Sequence, residues 1–107
     1  MILLDHIISI TISQSHSYGE VNKNYFKVIH DARELTYIEN SLKKAHSKKQ
    51  KIDIMKEKPD FDLIIHYRES RTHLLHLVLG DRGETSRIMY VSYENTSSII
   101  PSDETLQ

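Results

Sequence analysis

The sequence predicts an α+β domain: an antiparallel sheet of about five strands with one main helix on one face. Three observations carry that reading. Ile8, Ile10 and Ile12 alternate with Ser9, Thr11 and Ser13, the two-residue period of a half-buried strand. Leu35, Ile38, Leu42 and Ala45 recur as a single helical stripe. Three further β-type runs then follow one another across short polar links, the pattern of neighbouring antiparallel strands. The expected order is β-β-α-β-β-β.

The first strand covers residues 6–13. Residues 14–24 are polar and read as a loop around Gly19, and a second strand spans Tyr25 to Ile29. Asp31 stands where a helix N-cap is needed, with Glu34 three residues on as the partner of a capping box. The helix is expected over 32–47, with Lys43, Lys44 and His46 near its C-terminal end, where cations suit the helix dipole. Lys49 to Pro59 reads as a connector. Phe61 to Arg68 is a strand with Leu63, Ile64 and Ile65 apolar on both faces. Glu69-Ser70 reads as a two-residue hairpin turn, leading into Thr72 to Leu79. Gly80 to Glu84 is a turn, and Ser86 to Tyr93 the last strand. A short helix is expected after Pro101.

At 107 residues the chain has the length of one domain, 1–107. It has no cysteine, so disulfide scaffolds, thiolate metal sites and cysteine nucleophiles are excluded. Net charge is −1, from 14 basic and 15 acidic residues, so no global field draws in nucleic acid or membrane. The apolar N-terminus lacks a positive flank and is interrupted by Asp5 and His6, unlike a signal peptide. No Gly-x-Ser-x-Gly and no glycine-rich phosphate loop occurs. Asp60 and Asp62, like Asp103 and Glu104, read as caps or solvated strand edges.

Three groups of side chains are candidates for a site. A two-residue turn at Glu69-Ser70 sets His66 opposite His73, at the distance of directly opposed Cβ atoms, where two imidazoles could share a metal. The simpler reading is two histidines on a half-exposed sheet face, and His76 falls on the other face as a core histidine. Tyr67, Tyr90 and Tyr93 lie on three strands expected to be neighbours, and such tyrosines line shallow binding grooves or simply cover sheet area. Lys43, Lys44, Lys48 and Lys49 belong to a window over 43–58 that carries +5, against −6 for the rest of the chain. That asymmetry suits an acidic partner or a phosphate backbone, although the window lacks the aromatics and arginines of a nucleic-acid reader.

The stretch from Pro59 to Tyr93 resembles the YhfM-like domain of small lipoproteins from Gram-positive bacilli. The likeness is carried by Pro-Asp-Phe-Asp-Leu-Ile-Ile-His-Tyr, then Thr-His-Leu-Leu-His-Leu-Val-Leu-Gly, then Ser-Arg-Ile-Met-Tyr-Val, preceded by a helix and a lysine-containing connector. Val78 replaces a frequent tryptophan, and Glu69-Ser70 replaces the usual Asp-Gly. The resemblance implies an extracytoplasmic, membrane-anchored lipoprotein whose anchor has been removed; without it the chain reads as cytoplasmic. It implies no activity, cofactor or functional residue. The function expected is therefore a non-catalytic module binding a protein or peptide by its sheet. The alternatives are a metal- or anion-binding domain using His66 and His73, or a weak nucleic-acid binder using the lysine window.

Overall fold

The computed structural model describes residues 1, 3–49, 58–80, 85–94 and 96–100. In chain order the elements are β1 (Ser9–Gln14), β2 (Lys27–Ile29), α1 (Ala32–Lys44), β3 (His46–Lys49), β4 (Phe61–His66), β5 (Thr72–Val78), β6 (Ser86–Tyr90) and β7 (Thr96–Ile100). Among the described residues they form one antiparallel sheet in the order β2-β1-β4-β5-β6-β7-β3.

The five-strand expectation is thereby corrected to seven, in a sheet-dominated fold. The two extra strands are β3 and β7, paired from His46↔Ile99 to Lys49↔Thr96. Neither carries an alternating apolar pattern: β3 reads His-Ser-Lys-Lys and β7 opens Thr-Ser-Ser. The connector expected from Lys49 and the helix expected after Pro101 lie almost wholly outside the described residues.

β2 and β3 are consecutive strands, yet they occupy opposite edges of the sheet, and α1 joins them. A helix of 13 residues is about 20 Å long. The edges of a flat seven-stranded sheet would lie roughly 29 Å apart at ~4.8 Å per strand spacing. Only His30, Asp31 and Ala45 connect the helix to its flanking strands, and they must climb from the sheet to the helix layer and back. The sheet therefore has to curl around the helix. Asp31 caps α1 as its position predicts, accepting from the Glu34 amide at 3.1 Å. The helix ends at Lys44, before the expected boundary, because Ala45 turns extended to enter β3.

The core lies on the concave face. Ile10, Leu63, Ile65, Leu75, Leu77, Ile88 and Ile100 from the strands join Leu35, Ile38 and Leu42 from the helix in one buried cluster. Glu39, also buried on α1, accepts from the Ile7 amide at 2.6 Å and holds the N-terminal segment against the helix.

The hairpin register differs from expectation by one residue. Glu69 and Ser70 turn in the left-handed region, with Arg71 N–H donating to Arg68 C=O at 3.4 Å, but the ladder resumes one residue out of step, with Tyr67 N–H donating to Arg71 C=O at 2.9 Å. His66 consequently faces Thr72, and His73 faces Ile65. A one-residue slip sends side chains to opposite faces of the sheet. His66 points to the convex face and His73 to the concave one, so the expected pair does not form. Among the described residues no three His, Asp or Glu side chains are grouped to hold a metal ion.

Candidate functional site

Beneath the N-terminal half of α1 the curled sheet leaves a cavity of about 570 Å³, within the usual range of small-molecule sites. Its floor is Ile10, Ile38, Leu63 and Leu77, all buried. Ile12, Ile29 and Phe61 make the sides, and the exposed rings of Phe26 and Tyr37, with Leu79, make the rim. The sequence dictates this lining simply. Ile10 and Ile12 of β1, Ile29 of β2, Leu63 of β4 and Leu77 of β5 all share the concave face through their cross-strand pairing. The charged groups of the lining are Lys27 on β2 and Arg33 and Glu34 in the first turn of α1. Two cations and one carboxylate thus stand at an otherwise apolar opening, next to the positive end of the helix dipole.

A second cluster occupies the other end of the concave face. The Tyr67 hydroxyl and His73 Nδ1 are 2.8 Å apart. The His73 ring is met edge-on by Tyr67 and by Tyr90, each with centroids 5.2 Å away. Burial holds the His73 imidazole below its ordinary value of 6.5 and pushes both phenols up. Tyr67 is buried in the core, whereas Tyr93 stands largely exposed in the turn after β6. Two of the three expected tyrosines are thus brought together around a histidine, and the third is not.

On the convex face the same register that separates His66 from His73 sets Asp62 directly opposite His76. Both are buried, and His76 Nδ1 donates to Asp62 Oδ1 at 2.7 Å. Asp62, expected at a solvated edge, is instead inside the protein, because the β1–β2 loop folds over it. Knowing the true register would have found this pair from the sequence. Lys43 and Lys44 lie exposed on the last turn of α1. Lys48 and Lys49 lie on β3, and most of the remaining lysine window falls outside the described residues.

No family model matches the chain, and no curated protein matches it. Among solved structures it is similar to a thioesterase-like protein from Clostridium sporogenes, with a TM-score of 0.65 and 18% identity over 92% of this chain and 88% of that one. The likeness lies in the fold, a hotdog-like sheet curled around one helix. It corrects the expectation of a non-enzyme, because the architecture is one that a thioesterase-like protein uses. Among the described residues no helix is long and apolar enough to cross a membrane.

Proposed function

We propose that the cavity receives the apolar acyl part of a thioester and that the protein hydrolyses it. The observation that carries this reading is the apolar cavity of about 570 Å³ with Glu34 as the carboxylate of its lining. Burying an alkyl chain is favourable by about 0.8 kcal/mol per CH₂, and the floor offers only aliphatic surface to it. Lys27 and Arg33 at the opening suit the anionic end of such a ligand. The fold's likeness to a thioesterase-like protein supports the choice of bond.

In the reaction Glu34 accepts a proton from a water molecule, and the water oxygen bonds to the acyl carbon. The carbon–sulfur bond then breaks, and the leaving thiolate takes that proton from Glu34, giving a free acid and a thiol and restoring the carboxylate. Arg33 and the positive end of α1 favour the negative charge that develops on the acyl oxygen.

Colorimetric thiol release from short and long straight-chain acyl thioesters tests this directly. Wild type should turn over the longer chains, and Glu34→Gln should lose about a hundredfold or more in kcat while still binding the acyl chain. Glu69→Gln, on the exposed turn after β4, should match wild type. Absence of thiol release above the buffer rate for every thioester would overturn the reading, as would full activity of Glu34→Gln.

A further inference from the structure

The buried Asp62–His76 pair belongs to a longer tie that ends at the cavity. Asp62 uses both carboxylate oxygens. Oδ1 receives His76 Nδ1–H, and Oδ2 receives the Asn22 amide at 2.7 Å. On the other side of the imidazole, Glu94 Oε1 lies 3.5 Å from Nε2. That oxygen also accepts the Gly19 amide at 2.7 Å and the Ser92 amide at 3.0 Å. Both ring nitrogens therefore face carboxylates: Nδ1 is hydrogen-bonded to Asp62, and Nε2 stands at ion-pair distance from Glu94 with no hydrogen-bond partner of its own. Tyr18 covers the ring edge-on, with centroids 5.5 Å apart. One fully buried histidine thus links two carboxylates, and each carboxylate grips a backbone amide of the β1–β2 loop.

The gripped loop leads straight to the cavity. From Asn22 the chain continues through the Asn24 amide, which donates to Asn22 Oδ1 at 2.9 Å. The Phe26 amide then donates to Ile12 C=O at 2.9 Å. Phe26 and Lys27 are the next side chains, and both line the cavity. The Phe26 ring rests against Phe61, with centroids 6.0 Å apart. Phe26 is mostly exposed and has little core packing of its own to hold it.

We propose that the Asp62–His76–Glu94 tie is a positioning device for the cavity wall. His76 orients Asp62 and Glu94 so that they fasten Asn22 and Gly19, and the fastened loop sets Phe26 and Lys27 at the opening. The tie thereby sets the affinity for an amphiphile with an alkyl chain and an anionic head. The inference rests on the acyl reading of the cavity in its ligand, and not in its geometry.

The test compares wild type with Glu94→Gln, which keeps an acceptor for Gly19 and Ser92 but removes the charge facing His76. His76→Gln serves as a second variant, and Glu20→Gln, on the same loop outside the tie, as the control. Three quantities are read: amide hydrogen exchange at Gly19 and Asn22, the nuclear Overhauser contact between the Phe26 and Phe61 rings, and calorimetric affinity for dodecanoate. In Glu94→Gln both amides should exchange faster, the ring contact should weaken, and dodecanoate should bind about tenfold less tightly, the effect of losing one charge-assisted contact. In thioester turnover the loss should appear in KM with kcat preserved. Unchanged exchange in Glu94→Gln overturns the proposal. So does a loosened loop that leaves the Phe26–Phe61 contact in place. If wild type binds no dodecanoate, the acyl reading falls separately, and the tie is still decided by exchange and the ring contact.

Discussion

Histidines show how far the meaning of a residue depends on which face it occupies. The sequence sets His73 beside His66, yet its neighbours are Tyr67 and Tyr90. A neutral imidazole can accept the phenol proton at Nδ1, and burial lowers the ring's affinity for a proton. The sign for stability follows from that direction. The unfolded chain protonates first as pH falls below about 6.5. The contribution of His73 is therefore intact above that pH and disappears as pH falls through the lower folded-state midpoint. A ring-proton titration of His73 should give a midpoint below 6.5, and His73→Gln should flatten the acid limb of the stability curve between pH 6.5 and that midpoint. A midpoint at or above 6.5 would count against the assignment. Residue chemistry alone marks such groups as candidates; their partners come from the pairing of strands.

At the scale of elements, legibility tracks pattern strength. β1 is visible because isoleucine alternates with serine and threonine, and α1 because its stripe is spaced by turns and Asp31 stands at its start. β3 and β7 are invisible because neither alternates: β3 reads His-Ser-Lys-Lys, and β7 carries its apolar residues, Ile99 and the buried Ile100, only at its end. The β4–β5 hairpin is visible, but its register is not. Glu69 and Ser70 both adopt the left-handed region, at φ of 63° and 60°, as a two-residue turn requires, yet the ladder beside them runs one residue out of step, from Tyr67 N–H to Arg71 C=O, an offset that no residue type announces. That single residue of slip dissolves one expected histidine pair and creates the buried Asp62–His76 pair. Since a side chain in this region is strained and glycine is not, Ser70→Gly should raise stability by about 0.5–1 kcal/mol. Urea unfolding should show a higher midpoint with an unchanged slope. A lower midpoint would mean that the serine side chain, rather than the backbone, sets the turn.

For the whole molecule the decisive fact is topological: a helix of 13 residues joins opposite edges of a seven-stranded sheet. No local pattern carries this, because it depends on which strands lie at the edges, and one of them, β3, has no apolar signature. The cavity is equally illegible, since its walls come from β1, β2, α1, β4 and β5 and become neighbours only when the sheet curls. The same closure makes helix and sheet depend on each other. Leu42 is 1% exposed, in the helix segment that leads directly into β3. Truncating it leaves a hole between the two layers, so Leu42→Ala should cost about 2–5 kcal/mol. The helix band of far-ultraviolet dichroism and the nuclear magnetic resonance methyl signals of Ile65 on β4 and Ile88 on β6 should move to lower denaturant together. A helix tied to both edges cannot melt without releasing them, so one shared transition is expected. Two separate transitions in Leu42→Ala would mean that the sheet holds its curl without the helix, and the cavity's shape would then have to be explained by the strands alone.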